Sequence, residues 1–290
     1  MKRKVLNLIL FVITITIVLA GICIHYVLPN IILKPQRVNV EIMPNDLNLT
    51  SEKITVKGYN DITIKGYWNK TELKPKGLII ILHGIGSCKE HNLYLAKKLS
   101  NQGYECIVFD GRAHGKSGGT YSTYGYYENK DVSKIINFIK MRNPKIKIGL
   151  WGISQGGAIA LQTLAIDKRI NFGVIESTFT ELNLIVYDYM NKIFGIKWIA
   201  EYALKRAGEI ANFEPNKVKP ILSVTKIDQP VIIAHGDQDE NISINYGKEL
   251  FKDLKSKKKE LIIVENAGHF DLHEKGGEEF FNKIIKFINW

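Results

Sequence analysis

The stretch Lys147-Ile148-Gly149-Leu150-Trp151-Gly152-Ile153-Ser154-Gln155-Gly156-Gly157 decides how this chain is read. Residues 147–151 form a short apolar run, as in a strand buried on both faces, and 154–165 read as an apolar helix. The chain must turn sharply between the two. A serine in such a turn has a backbone strained enough to push its hydroxyl out from the sheet edge. Side chains at 152 and 156 would collide with neighbouring backbone, so glycine stands at both. The amide of Gln155 points into the same space as the Ser154 hydroxyl, where the positive end of the following helix favours negative charge. A bare G-x-S-x-G match is common, and its bland reading is a tight turn with an idle serine. At a strand-to-helix junction it predicts an exposed nucleophile.

Outward from this stretch, strands and helices alternate. Residues 53–56 and 63–68 read as an antiparallel pair of strands. Further strands are expected at 77–82, 106–110, 171–176, 229–234 and 260–264. Helical spacing marks 90–101, 128–142, 244–254 and 278–288. The alternation predicts an α/β domain with a mostly parallel sheet covered by helices on both sides. Residues 178–228 interrupt the order with a helical pattern that contains no obvious strand. They are expected to form a cap over the C-terminal edge of the sheet, where open α/β sheets bind ligands.

A serine hydroxyl is a weak nucleophile until a base takes its proton. In strand-to-helix turns of this kind the chain order is serine, acid, histidine. Among seven histidines, His269 directly follows the strand at 260–264 and so lies at the same edge as Ser154. Asp239 follows the strand at 229–234 and can orient the imidazole. Asp237 and Glu240 are its rivals, with Asp237 read as shaping the turn. The loop after 77–82 begins His83-Gly84-Ile85-Gly86. Gly84 permits close backbone approach, and the amide of Ile85 is the expected oxyanion donor beside that of Gln155. His83 is read as a brace for that loop, and His114, His235 and His273 as structural or surface groups.

The N-terminus poses a separate question. Lys2, Arg3 and Lys4 precede an apolar run over 5–28, broken only by Asn7, Thr14, Thr16 and His25. A helix crossing the hydrocarbon core needs about 20 residues, and this run is long enough. It predicts a transmembrane signal-anchor over 1–29, with the basic cluster holding the N-terminus in the cytoplasm. A linker over 30–49 and a folded domain over 50–290, outside the cytoplasmic membrane, would follow. The alternative is secretion after cleavage behind Val18-Leu19-Ala20. A lipoprotein site at Ala20-Gly21-Ile22-Cys23 is discounted, because Ile22 stands where a small residue is wanted.

The net charge of +11 is scattered over helix faces, and even the dense run at 255–259 reads as a solvated helix end. The membrane is therefore an expected partner, and nucleic acid is not. Cys23, Cys88 and Cys106 include no C-x-x-C pair, so no metal or redox centre is expected. A hydrophobic fraction of 45% excludes a disordered chain.

Four motifs together carry a family resemblance: His83-Gly84, Asp110-Gly111-Arg112-Ala113-His114-Gly115-Lys116-Ser117-Gly118, the Ser154 turn, and the pair Asp239 and His269. They resemble the α/β-hydrolase superfamily over residues 50–290, in particular the bacterial branch related to serine aminopeptidases, monoacylglycerol lipases and Bem46-like proteins. The second motif usually reads D-x-R-G-H-G-x-S in that branch, and here Ala113 replaces its glycine. The resemblance implies an α/β-hydrolase fold with an eight-stranded sheet. It also implies hydrolysis of an ester, thioester or amide without a cofactor.

The cap segment is rich in large apolar residues, among them Leu182, Leu184, Ile185, Val186, Tyr187, Tyr189, Met190, Ile193, Phe194, Ile196, Trp198, Ile199 and Tyr202. They either line a pocket for an acyl chain or pack the cap onto the body. With the membrane helix, they tilt the expectation towards small-molecule carboxylic esters, lipid-like ones included. A peptide-like substrate is the alternative and would need a group to hold its amine. Glu181, Glu201 and Glu209 lie in or near the cap, and nothing singles one out. An acyltransferase and a non-catalytic binding module of the same fold are further readings. The complete set of Ser154, Asp239 and His269 argues against the last.

Overall fold

A computed structural model describes residues 2–289, apart from the side chains of Lys2, Ile193 and Phe194. Its strands are β1 (Ser51–Lys57), β2 (Thr63–Asn69), β3 (Gly77–Leu82), β4 (Tyr104–Phe109), β5 (Ile148–Ile153), β6 (Ile170–Glu176), β7 (Val231–Gly236) and β8 (Lys259–Val264). Its helices are α1 (Lys2–Ile22), α2 (Leu28–Leu33), α3 (Leu93–Asn101), α4 (Glu128–Arg142), α5 (Gln155–Ile166), α6 (Leu182–Phe194), α7 (Lys197–Ala211), α8 (Pro220–Val224), α9 (Ile244–Asp253) and α10 (Leu272–Ile288). A π-helical turn over Cys23–Val27 joins α1 to α2.

The strands form one eight-stranded sheet in the order β1-β2-β4-β3-β5-β6-β7-β8. β2 pairs antiparallel with both of its neighbours, and the other pairings are parallel. The burial pattern explains the layers. β3 is buried at every position. Its Leu78, Ile80 and Leu82 meet α4 and α5 on one face, while Ile79 and Ile81 meet α3 and α10 on the other. A strand apolar on both sides needs such double cover. This is the α/β-hydrolase fold, with the helical cap inserted between β6 and β7.

Several boundaries differ from the sequence reading; β7, for one, runs over 231–236 rather than 229–234. The closing helix begins at Leu272 rather than 278, because Gly277, at φ +55, kinks it instead of ending it. The strand expected at 106–110 starts at Tyr104 and ends at Phe109, which frees the Asp110 side chain for a loop. The N-terminal helix runs on to Leu33, past the expected boundary at 29.

The segment expected as a linker is also tied down. Leu28, Ile32 and Leu33 are buried with Ala200, Ala203, Leu204 and Ala207 of the cap. Arg37 donates to the carbonyls of His114, Gly115, Ser117 and Gly119 at 2.7–3.2 Å. Further on, Pro44 opens a short 3-10 turn over Pro44–Leu47, and Met43 and Leu47 pack against the body.

Candidate active site

Ser154 sits between β5 and α5 at φ 55, ψ −119, a conformation that costs a non-glycine residue about 1–3 kcal/mol. Its neighbours explain why the strain persists. A Cβ on Gly152 would lie 2.3 Å from the Gly156 carbonyl oxygen, and one on Gly156 would lie 2.1 Å from that of Leu82. The turn is therefore packed backbone against backbone. The Ser154 amide donates to the Glu176 carbonyl at 2.8 Å, anchoring the turn to the end of β6.

The structure brings the three separated side chains together. Ser154 Oγ lies 3.0 Å from His269 Nε2, and His269 Nδ1 lies 2.8 Å from Asp239 Oδ2. An ionised carboxylate only accepts, so Nδ1 carries the proton and Nε2 accepts from the serine hydroxyl. Of the three carboxylates considered, it is Asp239 that meets the imidazole, with its side chain removed from solvent. Asp237 and Glu240 are exposed. Oδ1 of Asp239 accepts from the amides of Asn241 and Ile242, both at 2.9 Å. Burial alone would raise the Asp239 pKa. Hydrogen bonds from His235, His269 and the Ile242 amide outweigh it and hold the carboxyl well below the usual range.

His235 differs from its sequence reading as a generic structural or surface group. It is fully buried, with Nε2 2.8 Å from the Ile242 carbonyl and 3.3 Å from Asp239 Oδ2. Both neighbours accept, so Nε2 carries the proton and donates towards them. A histidine four residues before the acid is a signal that the sequence offered, but spacing alone could not say which way the ring pointed.

The loop after β3 lies against Ser154. A Cβ on Gly84 would lie 3.3 Å from Ser154 Cβ, so a side chain there would crowd the serine. His83 braces the loop as expected. Its Nε2 accepts from the Gly111 amide at 2.9 Å, and its Nδ1 donates to the Gly84 carbonyl at 2.8 Å. Burial, helped by the neighbouring His114, pushes the His83 pKa down to about 4, so the ring stays neutral and keeps this pair of bonds.

Asp110 ties the same loop to the next. It accepts from the amides of Lys89 and Lys116 at 2.9 Å and from the buried Lys89 ammonium at 2.8 Å. Ala113 keeps a glycine-like backbone at φ 62, at a cost of about 1–2 kcal/mol, so the loop's course survives the replacement.

Part of the cap's apolar set takes the packing role considered. Leu182, Ile185, Val186, Met190 and Ile199 are buried and pack the cap. Leu184, Tyr189, Ile196, Trp198 and Tyr202 are exposed. The side chains of Ile193 and Phe194 lie outside the described residues. Helix α6 reaches the acid's loop, where Lys192 donates to the Glu240 carbonyl at 2.5 Å and Tyr246 bonds Asp188. Beside the imidazole, Phe270 is 90% exposed, and the Ile85 side chain is 43% exposed. A cleft of about 1010 Å³ lies between α6 and α7, but neither Ser154 nor His269 lines it. Among the described residues no cluster of His, Cys, Asp and Glu is arranged to hold a metal ion. Cys88 and Cys106 are buried free thiols.

A sheet-edge serine, an imidazole and a buried carboxylate on this fold define the class: an α/β-hydrolase. Comparison with known proteins narrows it. The family model described as serine aminopeptidase, S33 matches residues 73–218, and the chain belongs to that family. The chain is 26% identical over 234 residues to the uncharacterized protein YqkD of Bacillus subtilis, covering 78% of this chain and 75% of that protein. It is 28% identical over 211 residues to lysophosphatidylserine lipase ABHD12 of Danio rerio, covering 67% of this chain and 51% of the lipase. Among solved structures, the Pyrococcus furiosus esterase Pf2001 superposes with a TM-score of 0.75 at 24% identity, covering 89% of this chain and 97% of that one.

Proposed function

We propose that this chain is a membrane-anchored serine hydrolase of carboxylic esters, with Ser154 as nucleophile, His269 as base and Asp239 as the acid that orients it. The observation that carries the reading is the unbroken row from Ser154 Oγ through His269 to Asp239, with steps of 3.0 and 2.8 Å.

Ser154 Oγ attacks the ester carbonyl carbon while its proton passes to His269 Nε2. The electron pair of the carbonyl moves onto oxygen, which the amides of Ile85 and Gln155 hold. As the intermediate collapses, the alcohol leaves with the proton from His269 and the acyl group stays on Ser154. Water then repeats the sequence and releases the acid. Each oxyanion donor contributes about 2.7–4 kcal/mol to the transition state in enzymes of this kind.

An ester is favoured over a peptide on two grounds. Phe270, whose ring packs edge-on against His269, is apolar and exposed. The carboxylates that were candidates to hold a substrate amine already have cations: Glu181 has Lys219 at 2.7 Å, Glu201 has Lys197 at 3.7 Å, and Glu209 has Arg206. The esterase and lipase among the similar proteins point the same way.

The test is a chain-length series of p-nitrophenyl esters run beside aminoacyl anilides on the full chain in detergent. Ester turnover that exceeds anilide turnover, and falls by roughly 10⁶ in Ser154→Ala and in His269→Ala, is the expected result. A clear preference for the anilides would overturn the ester assignment, and wild-type turnover in Ser154→Ala would overturn the site.

A further inference from the structure

Ser154 is held by the residues that end β6. Its amide donates to the Glu176 carbonyl at 2.8 Å, and its own carbonyl accepts from the Thr178 hydroxyl at 2.7 Å. Between these two, Ser177 takes a left-handed φ of 46, a strained backbone for a serine. Both backbone groups of Ser154 are thus fixed by one short segment.

The Glu176 side chain is buried, and its carboxylate takes two side-chain donors. Trp151 Nε1, three residues before Ser154 on β5, donates to Oε1 at 2.9 Å. His273 Nε2, in the first turn of α10, lies 3.0 Å from Oε1 and 3.3 Å from Oε2. A carboxylate only accepts, so Nε2 carries a proton and donates. Burial lowers the His273 pKa and Lys98 adds to that, but the Glu176 charge outweighs both and raises it. The ring therefore keeps its second proton to higher pH than a free histidine.

His273 stands four residues after His269. Before the base, the Ala267 carbonyl accepts from the Gln238 amide at 2.9 Å. Gly268 N–H donates to Asp271 Oδ1 at 2.6 Å, a bond inside the same loop. After the base, Leu272 packs into the apolar layer, a contact without direction. Apart from the bonds of His269 itself, the next hydrogen bond from this stretch to the sheet, among the described residues, is the one from His273 to Glu176.

We propose that Glu176 and His273 are positioning residues for the reaction: Glu176 holds the Ser154 turn with its backbone and the His269 loop with its side chain, and so sets the gap that the proton crosses. This rests on the Ser154, His269 and Asp239 reading given above and adds a second carboxylate–imidazole pair behind it. Both residues act through Ser154 and His269, not on substrate. The gap between Ser154 Oγ and His269 Nε2 is 3.0 Å, and proton transfer needs a reach of about 2.6–3.2 Å, so a small drift of the loop breaks contact. An ion pair that only joined α10 to β6 would stabilise the fold and leave the turnover of folded enzyme unchanged.

The experiment compares wild type, His273→Ala and His273→Gln as full chains in detergent, on a short p-nitrophenyl ester. The His273 side chain is partly exposed, so its removal leaves the buried layers intact. Glutamine keeps an amide donor for Glu176 but lacks the ring that packs on Trp151 and Phe280. Turnover is expressed per site labelled by a fluorophosphonate probe, which leaves unfolded protein out of the count. A kcat about tenfold lower in His273→Ala, with KM nearly unchanged, and most of the loss recovered in His273→Gln is the expected result. An unchanged kcat per labelled site in His273→Ala would overturn the inference, even with a lower melting temperature. No recovery in His273→Gln would reduce His273 to ring packing.

A second readout needs no substrate. The His269 Nδ1 proton, shared with Asp239 at 2.8 Å, gives a low-field NMR signal. It is expected to shift and broaden in His273→Ala and to return in His273→Gln, and an unmoved signal would overturn the inference. Ser154→Ala separates the two levels of the account. Turnover retained there ends the triad reading and this inference with it. Turnover lost there, with His273→Ala matching wild type, ends this inference alone.

Discussion

His235 and Asp239 show how much hydrogen bonding can stand behind one imidazole. Asp239 Oδ2 faces two imidazoles, and its Oδ1 takes two amides. Removing one hydrogen bond to a charged group costs about 1.5–3 kcal/mol. His235→Leu is expected to lower kcat by roughly 10–100-fold, with KM nearly unchanged, because the acid that aims His269 loosens while the substrate surface stays intact. Steady-state kinetics on a short ester checks this, and an unchanged kcat would reduce His235 to packing. The sign of the pH effect also follows. A carboxyl held below its unfolded pKa contributes stability that is present above the ordinary Asp range and lost as pH falls through the folded value. Asp239 therefore keeps its charge, and its hold on the imidazole, well into acid.

At the scale of elements, the Ser154 turn and the β3 loop are held by close backbone contacts. Gly156→Ala would force a methyl to 2.1 Å from the Leu82 carbonyl oxygen. It is expected to destabilise the fold by about 3 kcal/mol, seen as a melting temperature lower by several degrees, and an unchanged melting temperature would contradict the packing described. His83 makes a second prediction. Its folded pKa lies near 4, so it must remain neutral, with the proton on Nδ1, while ordinary histidines titrate near 6.5. Long-range ¹H–¹⁵N spectra of the histidine rings, assigned with His83→Asn, check this, and a midpoint near 6.5 would contradict it. Linkage gives the sign: the stability that neutral His83 contributes is present above 6.5 and is lost as pH falls towards 4.

These elements also show what the sequence could reveal. The apolar runs of β3 and β5 are buried at almost every position, so short continuous hydrophobicity was a sound guide to them. The G-x-S-x-G turn was legible because its glycines answer to hard-sphere contacts. The start of α10 was not, because paired glycines at 276–277 look like a stop while one of them, at φ +55, serves as a kink. Nor was the orientation of His235, which depends on a carbonyl that only the folded loop presents.

For the whole molecule, the long helix is part of the folded unit from Leu28 onwards. Arg37 fastens the chain behind it to four carbonyls of the loop around Gly115. That loop has little slack, since a Cβ on Gly115 would meet Asp110 Cγ at 2.3 Å. Arg37→Ala is expected to raise amide hydrogen exchange across residues 113–119 and to cost about 1.5–3 kcal/mol. Unchanged exchange there would mean that helix and body are coupled through the cap alone. The sequence showed a helix long enough for a membrane and a stretch after it that read as a linker. It could not show that Leu28, Ile32 and Leu33 bury their side chains against a cap far along the chain, at Ala200, Ala203, Leu204 and Ala207.

The central claim is that Ser154 is a nucleophile activated by His269. A fluorophosphonate probe tests it most directly: the full chain is labelled, digested and mapped by mass spectrometry. One adduct per chain on the peptide carrying Ser154, absent in Ser154→Ala and strongly slowed in His269→Ala, is the result expected. An adduct on another residue, or no adduct in a folded wild-type protein, would contradict the account.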